Sequence, residues 1–248
     1  MRQKLTDVEG ARLTRAWDAN AQFRAAELFS NDDSAYRSLT YHIEQHLAGT
    51  LTAGDRVLDV GCGVGALTES LGGLGYEALG IDPSEQSIKL AKRYNPAGNY
   101  QAASLEKFAL KSPTPFHAVV ANMVLHSVPD LGGFLAAARS ILDENGIFIA
   151  TIPHPRYYLQ QRPDVMFSES DYDDCRLYWL NFRIHGKHPH PTKVPYFHRP
   201  TEDYVTLLTR NRFAISEFEA PPQVGIGKPH DILLIVADRL PQPLSRAA

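Results

Sequence analysis

Three glycines and two acidic residues form the most informative cluster in the sequence. The segment VLDVGCGVG places Gly61, Gly63 and Gly65 at alternate positions, with Asp59 two residues ahead of them. Asp82 follows 17 residues after the last of these glycines. Glycines let the backbone turn tightly and approach a ligand closely, and an acid after the next strand can accept hydrogen bonds from ribose hydroxyls. The cluster therefore predicts a site for a ligand that contains a nucleoside.

The spacing of the glycines separates two kinds of nucleoside site. The dinucleotide fingerprint is G-x-G-x-x-G, whereas this chain has G-x-G-x-G preceded by an acid. A pyrophosphate is better held by bare amides and a helix N-terminus than beside a carboxylate. Asp59 suits a ligand with a cationic amine, such as S-adenosylmethionine. A plain tight turn would leave a strand-embedded carboxylate without a partner, which is costly when it is buried. Cys62 lies inside the turn, and we expect it to be a small buried residue rather than a nucleophile.

The elements around this cluster alternate between strands and helices. The apolar runs RVLDV, EALGID, NYQAAS, FHAVVANMV and GIFIATI read as five strands. Between them, ALTESLGGLG, SEQSIKLAKRY and LGGFLAAARSILD have helical patterns, and Ser84 is placed to cap the second of these helices. Residues 201–210 read as a helix, and FAISEFEA and DILLIVAD as two further strands. The alternation predicts an α/β protein with a doubly wound sheet, which binds ligands at the carboxyl ends of its strands.

Two segments lie outside this alternation. Residues 1–50 have a helical pattern and carry Trp17 and Tyr36, and residues 153–200 hold seven of the 17 prolines and nine aromatic residues. A structureless loop as long as the second segment is unusual in a compact domain. We therefore expect one domain, residues 1–248, in which a helical N-terminal segment and an aromatic insert cover the ligand edge of the sheet.

Composition excludes several classes of protein. The 25 Lys and Arg residues against 28 Asp and Glu residues give a net charge of −3, so we expect no nucleic-acid partner. No apolar run approaches the roughly 20 residues that a membrane span needs. The N-terminus has no apolar signal core, and two cysteines make no disulfide framework, so we expect a cytoplasmic protein. His185, His188 and His190 lack a Cys or Asp to complete a familiar zinc spacing, and we expect no metal.

Two long segments resemble the class I S-adenosylmethionine-dependent methyltransferases. They are VLDVGCGVGALTESLGGLGYEALGIDPSEQSIKLAKRY and FHAVVANMVLHSVPDLGGFLAAARSILDENGIFIATIPHP, and together they cover about residues 55–152. More loosely, the regions 17–37, 154–155 and 196–200 are similar to a subgroup that acts on small molecules. The resemblance implies a Rossmann-like sheet of seven strands in the order 3-2-1-4-5-7-6, with the last strand antiparallel. It also implies S-adenosylmethionine as the cofactor.

The resemblance assigns cofactor roles to particular residues. Asp82 would bind the ribose, and Arg37 would cover the carboxylate of the methionine end. Ser104 departs from the Asp that the family often has there, although a hydroxyl can still accept a hydrogen bond from the adenine amine. The full set of cofactor residues implied by the resemblance is Arg37, Asp59, Gly61, Cys62, Gly63, Gly65, Asp82, Pro83, Gln86, Ser104, Leu105, Asn122 and Met123.

The acceptor of the methyl group is expected to be a small molecule in a pocket under the insert. The resemblance implies direct SN2 transfer to oxygen or nitrogen, with carbon as a further option. An alcohol or phenol would need a base, for which His154 and His126 are the candidates. The expected acceptor-binding residues are Trp17, Tyr36, His154, Tyr158, Tyr196, His198 and Arg199. Against these roles, His154 would instead stiffen a turn, and His198 and Arg199 would anchor the insert.

Two other functions remain open at this point. A methyltransferase acting on RNA or protein predicts an open groove with a basic strip rather than a roofed pocket. A protein that binds the cofactor without transferring a methyl group predicts no acceptor chamber beside it.

Overall fold

The computed structural model describes residues 7–29, 34–111, 114–182, 191–221 and 232–241. Two helices, α1 (Asp7–Phe29) and α2 (Ser34–Thr50), precede the first strand. The strands that follow are β1 (Arg56–Val60), β2 (Glu77–Asp82), β3 (Asn99–Ala102), β4 (Phe116–Asn122) and β5 (Leu142–Pro153). Between them lie α3 (Ala66–Gly73), α4 (Glu85–Tyr94), α5 (Leu105–Ala109) and α6 (Leu131–Ile141). The remaining elements are β6 (Arg176–Asn181), β7 (Lys193–His198), α7 (Thr201–Arg210), β8 (Phe213–Glu219) and β9 (Ile232–Arg239).

The described residues form one sheet of seven strands and a separate hairpin. The sheet order is β3-β2-β1-β4-β5-β9-β8, and β6 pairs only with β7. Strands β1 to β5 are parallel, whereas β9 is antiparallel to both of its neighbours. With the hairpin set aside, β8 and β9 are the sixth and seventh strands, so the predicted order and the antiparallel last strand are confirmed. The carboxyl ends of β1, β2 and β4 therefore meet at one edge.

The central strands are apolar because both of their faces are covered. Successive side chains of a strand point to opposite faces, so Leu58 and Val57 enter different cores. Leu58 packs in a cluster that includes Phe148 and residues of α6 and α7. Val57 packs in a second cluster with Ile43 of α2. Near-continuous apolar runs are what such doubly covered parallel strands require.

The structure corrects the bounds of two strands and adds one short helix. Strand β5 begins at Leu142, earlier than expected, because this fully buried residue already pairs with Phe116. Strand β4 ends at Asn122, because Met123 has a φ of 58° and cannot continue an extended strand. Strand β3 is followed closely by the short helix α5, which the sequence reading missed and which Ser104 caps by accepting the N–H of Lys107.

The insert after β5 packs around its own aromatic residues. Leu159, Leu180 and Tyr196 are almost fully buried together, with Tyr158 and Phe167 against them. This agrees with the packing expected from the sequence. Residues 183–190, with the three histidines weighed as zinc ligands, lie outside the described residues. No helix within the described ranges is long and apolar enough to cross a membrane.

Candidate active site at the carboxyl edge of the sheet

A cavity of about 720 Å³ lies over the carboxyl ends of β1, β2 and β4. Its walls come from α1, the glycine turn after β1, the segment after β4, and the β6–β7 hairpin. Small-molecule sites typically have volumes of about 300–1,000 Å³. The cavity is therefore large enough for a ligand of cofactor size with a small second molecule beside it.

The glycine turn gives two of its glycines different tasks. All three have positive φ, 67° at Gly61, 54° at Gly63 and 85° at Gly65. A Cβ on Gly63 would meet no protein atom within 4 Å, and Gly63 lines the cavity. A Cβ on Gly65 would come within 2.7 Å of the Tyr100 ring, on the packed side of the turn. Gly63 thus leaves space for a ligand against the backbone, and Gly65 permits packing.

Two carboxyl groups lie at this edge, Asp59, which is buried, and Asp82, which is partly buried. The hydroxyl of Thr68 donates to Asp59 Oδ2 at 2.7 Å, and burial raises the pKa of Asp59 to about 7. The backbone N–H groups of Gly63 and Ser84 donate to Asp82 at 2.9 and 2.7 Å, and burial raises its pKa to about 6. A ligand that brings positive charge would favour the ionised forms of these acids.

A strained residue fixes the end of β4. Met123 lies in the left-handed region, and its N–H donates to the carbonyl and hydroxyl oxygens of Thr151, both at 3.0 Å. The same hydroxyl donates to Asn122 Oδ1 at 2.5 Å. Such strain persists only where the surroundings hold it, and it often occurs at functional sites. The network leaves the Asn122 amide NH₂ as a donor at the cavity wall.

His126 follows this turn and is neutral at physiological pH. It lines the cavity with a side chain that is 8% exposed, and its ring centroid lies 5.4 Å from that of Tyr196. Burial, together with the nearby cation of Arg199, lowers the pKa of His126 to about 3. Among the described residues, its Nδ1 is buried without a hydrogen-bond partner. His126 can therefore exchange hydrogen bonds with a ligand but is a weak base.

The structure brings most of the predicted site residues into one cavity wall. One of them is Cys62, which was expected to be a small buried residue. Burial raises the pKa of its thiol well above the ordinary value, which keeps the thiol protonated. The predicted residues that line the cavity are Trp17, Tyr36, Asp59, Gly61, Cys62, Gly63, Asp82, Pro83, Ser104, Leu105, Asn122, Met123, His126, Tyr158 and Tyr196.

Three predicted cofactor residues lie outside the lining of the cavity. The Arg37 side chain is exposed at the start of α2. Gly65 faces Tyr100, as described above. Gln86 is exposed in the first turn of α4, where its backbone N–H donates to Asp18 Oδ1 at 3.3 Å. None of these three residues forms part of the cavity wall.

Three predicted acceptor residues also lie outside the lining. His154 accepts the N–H of Arg156 at Nδ1 (3.3 Å) and so shapes the turn after β5. His198 is buried and forms a 2.8 Å hydrogen bond with the carbonyl of Tyr172 inside the insert. Arg199 donates to several backbone carbonyls, including that of Leu125, and holds the segment that carries His126. Their contacts agree with the turn and anchor roles weighed above.

Helix α1 contributes residues to the cavity wall that were not predicted from the sequence. Asn20 and Arg24 line the cavity together with Trp17. They follow Trp17 by three and seven residues, which puts all three on one helix face. This spacing is a signal that could have identified them. Asp18, the residue after Trp17, accepts a hydrogen bond from Ser84 Oγ at 2.5 Å and so connects α1 to the turn after β2.

The fold, the glycine turn and the paired acids together indicate one class of protein, the methyltransferases that use S-adenosylmethionine. Residues 27–199 match the family model described as a methyltransferase domain. The chain therefore belongs to the methyltransferase-domain family, which confirms the family predicted from the sequence.

Curated relatives and solved structures agree with this assignment. The chain is similar to the human mitochondrial ubiquinone biosynthesis O-methyltransferase, with 38% identity over 135 residues, 51% of this chain and 36% of that protein. It is also similar to the ubiquinone biosynthesis O-methyltransferase of Burkholderia lata, with 32% identity over 155 residues, 60% of this chain and 61% of that protein. The match thus spans about a third of the human relative's length.

Two solved structures share the fold. An S-adenosylmethionine-dependent methyltransferase from Clostridium acetobutylicum has a TM-score of 0.65 at 18% identity, covering 89% of this chain and 98% of that one. The Burkholderia thailandensis 1,6-didemethyltoxoflavin-N1-methyltransferase, with bound 1,6-didemethyltoxoflavin and S-adenosylhomocysteine, has a TM-score of 0.63 at 18% identity. It covers 97% of this chain and 94% of that one. At these identities the likeness shows the fold.

Proposed function

We propose that this protein transfers a methyl group from S-adenosylmethionine to a small-molecule acceptor. The observation that carries the proposal is one continuous cavity with two unlike halves. One half has the glycine turn and the carboxyl groups of Asp59 and Asp82, and the other has the aromatic and aliphatic wall of the insert. A nucleoside cofactor and an apolar acceptor fit these halves respectively. The family of the chain supports the same activity.

The residues present fit the cofactor. Open space beside Gly63 accommodates a ligand against the backbone, and the raised pKa values of Asp59 and Asp82 suit partners that are cationic or donate hydrogen bonds. Asp82 would bind the ribose hydroxyls, and Asp59 the ammonium of the amino-acid end. Pro83, Ser104 and Leu105 would border the adenosine, with Gly61, Cys62, Asn122 and Met123 beside the methionine. When bound, the cofactor supplies an activated methyl group on its sulfonium.

The chain's own part in the reaction is to align the acceptor and exclude water. Trp17, Tyr158 and Tyr196 line the acceptor half, and Phe182 packs its ring edge-on against Trp17 with 5.5 Å between centroids. Such a wall favours an acceptor with an apolar, aromatic body. Excluding water and fixing the angle of attack are the main needs of a direct methyl transfer.

The choice of acceptor atom depends on the two candidate histidines and on the activity of the curated relatives. His126, with a pKa near 3, would accept a hydrogen bond from an acceptor hydroxyl or amine without taking a full positive charge. His154, predicted as an alternative base, would act through the shape of the turn after β5. We propose oxygen as the methylated atom, with nitrogen next, because the curated relatives are named as O-methyltransferases.

The two rival functions predict different surfaces from the one described. A polymer substrate needs an open groove, whereas here α1 and the hairpin contact each other and both contribute to the wall of one cavity. A protein that only binds the cofactor needs no apolar chamber beside it. A cytoplasmic location and the lack of a nucleic-acid partner stay predictions.

The proposal is tested with S-adenosylmethionine labelled in its methyl group. The enzyme is incubated with a panel of small phenols and aromatic amines, and separately with bulk RNA and with protein. We expect label in small products extracted into organic solvent. Label only in acid-precipitated polymer would favour the RNA or protein alternative, and cofactor binding without labelled product from any acceptor would favour the silent one. Phe182→Ala, which opens the acceptor half, should lower turnover while affinity for S-adenosylhomocysteine stays within about twofold.

A further inference from the structure

A tyrosine and an arginine of the insert lie together in the wall of the acceptor half. Tyr158 and Arg162 are four residues apart, and both line the cavity. The Tyr158 ring packs against that of Tyr196, with 5.3 Å between centroids. Leu159, the next residue along the chain, is fully buried in the core of the insert. The pair therefore belongs to a packed part of the cavity wall.

Contacts with Asp164 and with the backbone of β6 hold the Arg162 guanidinium in place. Its Nε and Nη2 atoms donate to the two oxygens of Asp164 at 3.0 and 3.1 Å, a paired arrangement that fixes the plane of the group. Nη2 also donates to the carbonyl of Asn181, whose own N–H donates to Asp164 at 3.1 Å. The other amino group, Nη1, donates to the hydroxyl oxygen of Tyr158 at 2.9 Å.

The Tyr158 hydroxyl therefore accepts a hydrogen bond from a cation and keeps its own hydrogen for a second bond. Burial raises the pKa of Tyr158, and although the charge of Arg162 opposes this rise, the hydroxyl stays protonated at physiological pH. Within the described part of the chain, no side chain or carbonyl accepts this O–H. Accepting from a charged donor polarises a hydroxyl and makes it a stronger donor. A molecule bound in the cavity can supply the acceptor that the protein does not.

We infer that Tyr158 selects a methyl acceptor with a carbonyl or hydroxyl oxygen in addition to the atom that is methylated, and donates a hydrogen bond to that oxygen. The aromatic wall by itself would take any apolar ring of suitable size. A site built around a hydrogen bond instead discriminates strongly against analogues that lack the partner atom. Arg162 is the positioning residue for this hydroxyl. The inference rests on the proposed function, since it requires a small acceptor in this half of the cavity.

The test uses phenols that differ by one oxygen. The ortho, meta and para hydroxyacetophenones carry a ketone, and the corresponding ethylphenols have a similar size and shape without it. Calorimetry measures their binding to enzyme saturated with S-adenosylhomocysteine. We expect the wild type to bind at least one hydroxyacetophenone about tenfold or more tightly than the matching ethylphenol, and Tyr158→Phe to reduce this preference to within about twofold. Tyr178→Phe removes a hydroxyl from the same insert outside the cavity lining and should keep the preference.

Each outcome has one meaning. Equal affinity of the wild type for every matched pair, or binding of none of the phenols, overturns the inference and leaves the proposed function in place. A preference that persists in Tyr158→Phe places the oxygen contact elsewhere and likewise overturns it. A loss of S-adenosylhomocysteine affinity beyond about twofold in Tyr158→Phe means that the change damages the whole site, which refutes a selective role. Failure of the wild type to bind S-adenosylhomocysteine refutes the proposed function itself.

Discussion

At the scale of single residues, the site contains two acids, Asp59 and Asp82, whose pKa values are raised by burial. Asp59 is 1% exposed, and its hydrogen bond from Thr68 offsets only part of the cost of burying its charge. A cationic ligand would repay more of that cost by favouring the carboxylate form. Ligand affinity and protein stability should therefore depend on pH in opposite ways.

The affinity for S-adenosylhomocysteine should rise with pH. With a pKa of about 7, Asp59 is ionised in about one molecule in eleven at pH 6 and in about ten of eleven at pH 8. Binding that requires the carboxylate therefore strengthens about tenfold, to which Asp82, with a pKa of about 6, adds at most about a factor of two. Calorimetry at both pH values checks this. Asp59→Asn should bind more weakly and lose most of the pH dependence, and a wild type with flat affinity would contradict the role of Asp59.

The stability of the ligand-free protein should instead fall as the pH rises. The pKa of Asp59 is higher when folded, about 7, than unfolded, about 3.9, so the folded state holds its proton more tightly. Its contribution is full below about pH 4 and is lost as the pH rises to about 7. Asp59→Asn should therefore gain stability over the wild type between pH 4 and pH 8, by up to about 4 kcal/mol. Urea unfolding at both pH values measures the gain, which the exposed Asp173→Asn should not show.

The glycine turn offers a matched pair of substitutions. Gly63→Ala and Gly65→Ala share the strain of a positive φ, about 1–2 kcal/mol. Only Gly65→Ala adds a clash with the Tyr100 ring, and only Gly63→Ala puts a methyl group into the cavity wall. Gly63→Ala should lose ligand affinity with a modest drop in Tm, and Gly65→Ala should lose more stability. The opposite pattern would mean that Gly65, rather than Gly63, faces the ligand.

At the scale of elements, α1 joins the two halves of the site. Asp18 accepts a hydrogen bond from Ser84 beside the predicted ribose site. Two residues later, Asn20 exchanges hydrogen bonds with the backbone of Thr192 in the insert, with Nδ2 donating at 2.9 Å and Oδ1 accepting at 3.4 Å. The helix is thus fixed to both sides of the cavity by short polar contacts.

Removing one of these contacts should loosen the helix. Asn20 is 1% exposed, so Asn20→Ala leaves the Thr192 backbone groups without their partner, at a cost of about 1–3 kcal/mol. Hydrogen exchange of amides in α1 should become about ten- to a hundredfold faster in the ligand-free protein. Arg15→Ala, an exposed change on the same helix, is the control. Equal exchange in Asn20→Ala and Arg15→Ala would show that the contact with Thr192 does not hold α1.

At the scale of the whole molecule, one cavity is shared by elements from distant parts of the chain. A ligand bound there contacts α1, the sheet edge and the insert together, and it stabilises only the folded state. Ligand binding should therefore be visible as a shift of the global unfolding transition.

The size of the shift can be stated in advance. S-adenosylhomocysteine at 100 times its Kd adds about 2.7 kcal/mol to the free energy of unfolding. For a domain of this size, each kcal/mol moves Tm by about 2–4 °C, so Tm should rise by about 5–10 °C. Differential scanning calorimetry measures this, with NADH as the matched nucleotide control. A larger shift with NADH would contradict the cofactor assignment.

The sequence by itself determined the sheet and the cofactor edge. The family resemblance implied the strand order and the antiparallel last strand, and local signals predicted that Asp59, Gly63 and Asp82 lie in one wall. Apolar runs of strand length, glycines between a strand and a helix, and an acid after the next strand are each read within a few residues. In a parallel sheet, local order then fixes which loops share an edge.

Only the tertiary structure decided how α1 and the insert meet that edge. Asn20 and Thr192 are 172 residues apart, and no local pattern links them. Helix α1 also packs on the glycine turn, and Arg24 rather than Arg37 lies in the wall. His154 was a fair candidate from its place after β5, yet its ring turns to the Arg156 backbone, outside the lining. Side-chain direction in covering elements depends on contacts between distant segments, and local sequence does not contain that information.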